Sequence, residues 1–536
     1  MKKTSLFCTI LVTSCFFFLF SCGETEEPTP TGPGTVVAGD GISESDLETY
    51  QGEVGLTLNL RQIARKGLSP AEVEFEIQTT GGVLTEKVSV NDFACMAVLK
   101  IPVEDLTENQ SKQLTDGVKV NITVKDQTGK TIASKIDLGI RSLLPSLTPI
   151  VIDAGSIPET EEVSTYVFGE GTGFYFQTTN MEGVPGKSAM FNNNNFMFVS
   201  SNTTFTGNQP NFLFNITPVQ GKKNTFHIRL ASTGEYLFLT GTALGIRVVN
   251  SRRRNLAGLS TANQELYQFT IRKLKDGVFQ LLDFRNRKIQ DTAGIGLTVN
   301  NSNGKDMVWR IVANEVKWAA QPIASTSIQP ILPKPTTGFT FNSTLTNCSS
   351  GQLQQTVGID FSEERTTTVG WSETISVNTT QTVSVSATVG VEVSGTFFGS
   401  GATASASVTS GFEWSQSITS EASQYESQTT TKRESYFSSR VITVPPRKAS
   451  LVYDAYQYYE NVRVSHVQRI RISGKNEKGR DLTGDEIRTI FLFSNFNGVI
   501  NTVEENSVVI TLLGFTVLDK FMDTQSKVQE VPPRCN

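Results

Sequence analysis

His227 and His466 are the only histidines of this 536-residue chain, so a Ser-His-Asp triad or a histidine-bearing zinc site has to use one of them. His227 stands in Phe226-His-Ile and His466 in Val462-Arg-Val-Ser-His-Val; both segments alternate as strands do, and a structural or surface role is the simpler reading. A phosphate-binding loop at Gly186-Lys187-Ser188 fails, because Met181 stands where its first glycine is required. No Gly-x-Ser-x-Gly nucleophile elbow occurs. The carboxylate pairs Glu26-Glu27 and Glu161-Glu162 fall in tether-like or loop sequence, where solvated charge is the default. Net charge is -5, and the one basic run, Arg252-Arg253-Arg254, reads as a solvated loop rather than a phosphate-neutralising stripe. These residues point to no enzyme, no cofactor, no metal and no nucleic-acid partner.

Covalent chemistry is left to six cysteines. Lys2 and Lys3 precede the apolar run Leu6 to Phe20, a secretory signal too short for an ordinary membrane span. Its ending, Leu19-Phe20-Ser21-Cys22, resembles the bacterial lipobox, which implies a signal over residues 1–21 and lipidation of Cys22; a plain signal peptide cut nearby is the alternative. Residues 22–34 are an acidic, Pro-rich tether. Acidic residues directly after the cysteine are similar to the surface-export signals of Bacteroidetes lipoproteins, which implies an outer-membrane or cell-surface protein, tethered or released. Cys8 and Cys15 leave with the signal. Of Cys95, Cys348 and Cys535, two are expected to pair in an oxidising compartment. A Cys348–Cys535 bridge would tie both ends of one domain together, and Cys95, in the apolar stretch Phe93 to Leu99, reads as a buried small hydrophobe.

The elements that carry these residues read as all-β. Charged residues make up 18% of the chain against ~25% in an average globular protein, and long helical patterns are hard to find. Residues 35–146 alternate in short runs, such as Val73-Glu-Phe-Glu-Ile and Val118-Lys-Val-Asn-Ile-Thr-Val, as an immunoglobulin-like antiparallel β-sandwich would. Residues 151–318 carry a weak threefold repeat. Gln209-Pro-Asn-Phe-Leu-Phe-Asn-Ile, Gln264-Glu-Leu-Tyr-Gln-Phe-Thr-Ile and Gly304-Lys-Asp-Met-Val-Trp-Arg-Ile set Phe214, Phe269 and Trp309 in one slot, 55 and 40 residues apart. Three such units resemble a β-trefoil with these aromatics as its pseudo-threefold core. The loose likeness to ricin-type lectins implies carbohydrate binding, although their Gln-x-Trp signature is absent; the alternative is that the aromatics are core alone. Pro322, Pro330, Pro333 and Pro335 mark a linker over 319–335.

The last region, 336–536, contains a stretch whose side chains keep strict phase. Val383, Val385, Ala387, Val389, Val391 and Val393 are apolar on odd positions. Ala402, Ala404, Ala406, Val408 and Phe412 continue on even ones. Ser384, Ser386, Thr388 and Glu392, then Thr403, Ser405 and Ser407, take the opposite face. Each limb, Val383–Val393 and Ala402–Phe412, is eleven residues; at ~3.3 Å per residue and ~45° tilt that crosses ~25 Å, the apolar band of a β-barrel. The apolar set would face lipid and the hydroxyl set, with Glu392, a lumen. Phe397 and Phe398 at the tip would anchor at the far interface. One hairpin cannot close a barrel, so several copies would have to assemble. The alternative is a Ser/Thr-rich hairpin of a soluble sandwich or adhesin stalk.

The flanks add order to this pattern: Thr368-Val-Gly-Trp-Ser-Glu-Thr upstream, then Phe412-Glu-Trp-Ser-Gln-Ser, the Ser/Thr/Gln-dense run Ser417 to Ser435, and Val441-Ile-Thr-Val-Pro-Pro-Arg. Residues 350–530 thereby resemble the aerolysin-type β-pore-forming family, including its natterin-like and epsilon-toxin/mosquitocidal-toxin branches. The resemblance implies that the segment 382–412 is an insertion hairpin, that Val444-Pro445-Pro446 is an edge turn, and that Lys448 to Gln457 opens another long strand. It also implies surface binding, homo-oligomerisation and insertion into a lipid membrane, with a cell-surface glycan or receptor as partner. Related tips carry more bulky aliphatics and a proline than Gly395-Thr-Phe-Phe-Gly. A non-lytic surface adhesin or glycan-binding lipoprotein is the rival reading.

Overall fold

The computed structural model describes residues 53–140, 150–152, 165–191, 197–199, 211–242, 245–275, 277–299, 301–328, 330–332, 336–373, 375, 383–389, 395–396, 403–404, 412–418, 427–494 and 496–535. Among them strands predominate, arranged in several sheets; the protein is all-β with a few short helices.

The first part runs β1 (Glu53–Asn59), α1 (Arg61–Arg65), β2 (Pro70–Thr79), β3 (Gly82–Ser89), β4 (Met96–Pro102), α2 (Glu108–Asp116), β5 (Val118–Asp126), β6 (Thr131–Ile140) and β7 (Ile150–Val151). Sheets β4-β1-β7 and β3-β2-β5-β6 share one core. Strand β2 shows why: Val73, Phe75 and Ile77 are buried on one side while Glu72, Glu74 and Glu76 alternate outward, the period-two pattern of a half-buried strand. The expected end at residue 146 is too early. Strand β7 pairs in parallel with β1, Leu58 opposite Ile150, and the Ile152 N–H donates to the Asn59 carbonyl, so the unit reaches Ile152.

The second part contains β8 (Phe174–Thr179), β9 (Pro185–Phe191), β10 (Met197–Val199), β11 (Phe214–Pro218), β12 (Thr225–Leu230), β13 (Leu237–Thr242), β14 (Gly245–Asn250), α3 (Thr261–Glu265), β15 (Gln268–Lys275), β16 (Val278–Asp283), β17 (Ile289–Thr292), β18 (Gly296–Val299), β19 (Lys305–Asp306) and β20 (Trp309–Ala313). Strands β8, β11, β12, β15, β16 and β20 pair in that order, and β20 returns to β8, which closes a six-stranded barrel. Between each first and last barrel strand of a unit stands one hairpin: β9–β10, β13–β14 or β17–β18. Phe214, Phe269 and Trp309 stand at the first or second position of the three closing strands and are buried in one core. Phe174, Phe226 and Phe279 do the same for the three opening strands.

The third part holds β21 (Lys317–Ile328), β22 (Thr336–Asn347), β23 (Leu353–Trp371), β24 (Val383–Val389), β25 (Gly395–Thr396), β26 (Thr403–Ala404), β27 (Phe412–Ile418), β28 (Ser427–Val444), β29 (Lys448–Lys475), α4 (Gly484–Phe493), β30 (Val499–Val503) and β31 (Val508–Val531). Strands β29 and β31 pair from Ala449↔Val531 to Ile472↔Val508 and form the spine. The expected linker 319–335 is contradicted over 319–328, where β21 pairs with β29 from Lys317↔Lys475 to Ile328↔Ser465. Its Pro322 stands at a register shift on an edge strand, where a missing N–H removes no needed ladder bond. Helix α4 lies outside the all-strand expectation for this region. Thr483 and Glu486 form a capping box at its start, and it delivers Phe493 against Phe279 of the barrel, stacked with ring centroids 3.8 Å apart. Tyr166 and Phe168 close around the same ring. Barrel and third part therefore share one continuous core.

Candidate membrane-inserting hairpin

Strands β23 and β28 form a long ribbon, paired from Leu353↔Val444 to Gly370↔Ser427, and the inner end of β23 also pairs with β31 from Thr367↔Leu518 to Trp371↔Gly514. Threonines face each other across it, with Thr366 and Thr431 hydroxyls 3.2 Å apart and Thr368 and Thr429 3.0 Å apart. Between its two inner ends the chain makes a second hairpin, β24–β27, which lies alongside β21. Register sets Val383, Val385, Ala387 and Val389 opposite Ile418, Gln416, Trp414 and Phe412. Directly opposed residues share a face, so these eight positions form one face and Ser384, Ser386 and Thr388, opposite Ser417, Ser415 and Glu413, form the other. At the tip, Gly395 is opposite Ala404 and Thr396 opposite Thr403.

The paired return strand differs in one respect from the expected limbs Val383–Val393 and Ala402–Phe412. It runs to Ile418, with Phe412 opposite Val389. The even-position alternation in fact continues through Trp414 and Ile418, a signal that was legible but stopped short by Gln416. Val391, Val393, Ala402, Ala406, Val408, Glu392, Ser405, Ser407, Phe397, Phe398 and Cys22 lie outside the described residues.

The root of the hairpin is pinned from two sides. Trp371 and Ile375 are buried in the core shared with the barrel. Glu373 between them, 4% exposed, meets Arg61 of α1, 1% exposed. Arg61 donates from Nε to Glu373 Oε1 and from Nη2 to Oε2, both at 2.6 Å, and its remaining donors reach the Ala94 and Thr511 carbonyls at 3.2 and 2.6 Å. Arg65 Nη2 donates to Glu373 Oε1 at 3.1 Å, and the Leu513 N–H to Oε2 at 2.9 Å. A planar guanidinium matches a carboxylate in this two-point fashion. Around the pair, Ala94 and Met96 pack with Ile328, Val467 and Leu513, and the Arg469 guanidinium sits 4.3 Å over Phe93. No sequence pattern flagged Arg61 or Glu373, which are 312 residues apart.

The remaining sequence-read residues fall into structural settings. Cys348 and Cys535 are joined by a disulfide, and Asn347 beside it donates to the Val444, Pro445 and Gly351 carbonyls, which fixes the Pro-Pro turn. Cys95 is a buried free thiol, pushed up in pKa by burial. His227 is half-buried on β12, with Nδ1 3.0 Å from the Tyr267 carbonyl oxygen; burial and then the nearby Arg229 lower its pKa, against that hydrogen bond. His466 is fully buried on β29, opposite Gly514 and Ser327, with Nδ1 3.5 Å from Thr516 Oγ1; burial pushes it down to about 3. Arg252, Arg253 and Arg254 are exposed. Among the described residues no group of three or more His, Cys, Asp or Glu is placed to hold a metal ion, and no helix is long and apolar enough to cross a membrane.

No family model and no curated protein matches the chain. Among solved structures it is similar to that of the Cry23Aa1 and Cry37Aa1 binary protein complex, at 17% identity over 41% of this chain and 83% of that one, with a TM-score of 0.25. It is similar to the Mpp75Aa1.1 beta-pore-forming protein from Brevibacillus laterosporus, at 12% identity over 44% and 78%, TM-score 0.24. Parasporin-2, a Bacillus thuringiensis toxin described as recognising cancer cells, matches at 17% identity over 42% and 75%, TM-score 0.16.

Proposed function

We propose that this is a lipid-anchored, secreted bacterial protein of the aerolysin-like β-pore-forming class, which binds a target surface, oligomerises and inserts a barrel built from its 382–412 hairpins without catalysing a reaction. The observation that carries the reading is the hairpin's place in the fold. A two-faced strand pair, apolar on one side but for Gln416 and hydroxylated on the other but for Glu413, is spliced into the inner ends of a long ribbon, so that straightening the connection would make one continuous hairpin. The three-unit barrel is read as a β-trefoil that recognises a glycan or receptor, and Cys22 as the lipid anchor.

Registers in ribbon and hairpin differ, and the difference supports a specific conversion. Continuing the ribbon's register would set Val385 opposite Phe412 and Val389 opposite Val408, each four residues from the resting partners Gln416 and Phe412. An even shift keeps every residue on its own face. It removes Gln416 from the apolar ladder and brings Trp414 opposite Val383, at the height where an aromatic belt meets headgroups. The apolar positions gain lipid, and the pairing needed in a water-free core is supplied by neighbouring copies.

The test is dye release from liposomes together with detergent-resistant oligomers. Val389→Arg puts a charge on the lipid face at a cost of ~2–4 kcal/mol near the bilayer midplane, so leakage should be abolished while the monomer stays folded. Leakage at an unchanged rate would mean that Val389 never meets lipid.

A further inference from the structure

We propose that the N-terminal sandwich is a brake on the hairpin, applied through Arg61 and Arg65 to Glu373. Glu373 lies ten residues ahead of Val383, and its carboxylate takes up donors from both sides of the domain boundary: two arginines of the sandwich and the Leu513 N–H of β31. Arg61 reaches both oxygens and Arg65 reaches Oε1, so the charge neutralisation of the carboxylate comes from the sandwich while the Leu513 N–H adds a neutral donor to Oε2. If the root moves outward, Arg61 stays behind as a buried cation facing the Thr511 and Ala94 carbonyls, and Glu373 loses its counter-charge. Separating a desolvated ion pair is far costlier than separating an exposed one, so the contact resists motion of the root.

The sandwich side of the contact is built for the purpose. The Cys95 N–H donates to the Asn91 carbonyl at 2.7 Å, the Ala94 N–H to Asn91 Oδ1 at 2.9 Å, and Cys95 holds a left-handed φ of 53°. That tight turn aims the Ala94 carbonyl at Arg61 Nη1 and lays Ala94 and Met96 on Ile328 of β21, the strand beside which β24 rests. One docking surface therefore holds both the root of the hairpin and the strand that seats it. Departure of the sandwich, on target binding or cleavage, would release both together.

The inference rests on the hairpin reading above, and its test is separable from it. In the full chain in solution, Arg61→Ala should raise hydrogen exchange in peptides covering 383–389 and 412–418 about tenfold or more. It should also speed alkylation of Cys95, read by mass spectrometry, and leave barrel peptides 225–230 and 278–283 unchanged. Glu373→Gln preserves shape and an acceptor for Leu513, and should act in the same direction if the alanine variant folds poorly. Faster Cys95 alkylation with unchanged hairpin exchange would overturn the brake, as would no change in either. A wild-type chain that leaks no vesicle, yet shows the expected exchange, would overturn pore formation and leave the brake standing.

Discussion

Lowering the pH from about 7 to about 4.5 is expected to cost the folded chain about 2.5 kcal/mol through His466 alone. The side chain is 0% exposed in the spine of the third part, where burial holds its pKa at about 3 against an ordinary 6.5. A depressed histidine binds fewer protons folded than unfolded. Its contribution is therefore fully present above pH 6.5, is lost as pH falls from there towards 3, and loses no more below that. Each unit inside the window is worth ~1.4 kcal/mol, and pH 4.5 lies two units into it. Urea unfolding followed by the emission of Trp309, Trp318 and Trp371, all buried in the shared core, would give the stability at both pH values. Carboxylates and His227 titrate as well, so the informative quantity is the difference between wild type and His466→Gln, in which the variant's loss should be smaller by that amount. Equal losses in the two proteins would refute the reasoning, because they would mean that His466 is protonated or solvated in the folded state.

Two further outcomes are expected. Phe493→Ala removes the ring that stacks on Phe279 and meets Tyr166 and Phe168; it should cost ~3–5 kcal/mol, and calorimetry should split one transition into separate barrel and third-part transitions. Paired cysteines report the register change: Val389→Cys with Phe412→Cys should cross-link in the soluble chain, and Val389→Cys with Val408→Cys only in detergent-resistant oligomers. Cross-linking of the first pair in both states would exclude the four-residue slide.

The all-β class was legible because period-two alternation needs only local sequence, as Val73, Phe75 and Ile77 against Glu72, Glu74 and Glu76 illustrate. The threefold repeat was half legible. Phe214, Phe269 and Trp309 share a slot on the closing strands, whereas of the opening-strand trio Phe174, Phe226 and Phe279 only the last two stand in like sequence, Asn224-Thr-Phe-His-Ile and Gly277-Val-Phe-Gln-Leu, because the first sits in Phe174-Tyr-Phe-Gln. Proline misled at 319–328, since an edge strand with a bulge accepts Pro322 as readily as a linker does. Helix α4 was announced by Thr483-Gly-Asp-Glu486, a capping box in ten helical residues that a strand-dominated reading passed over. The Arg61–Glu373 contact had no such signal, because nothing local distinguishes an arginine that will be buried by a partner three hundred residues away.

That last gap follows from how the chain divides its tasks. In the mechanism proposed above, the alternation begun in Val383–Val389 works in two settings, beside β21 and in a barrel, and its valines, alanine, serines and threonine are small enough to suit both. A sequence that tolerates two settings cannot itself choose between them, and register alone, with Val385 opposite Gln416 in one and Phe412 in the other, biases it only weakly towards the barrel. The choice has to be imposed from outside the hairpin by contacts strong enough to oppose that bias and breakable as a unit. A buried ion pair at the root, held by a separately folded sandwich, meets both requirements: it is costly to break one partner at a time, and it is lost all at once when the sandwich leaves.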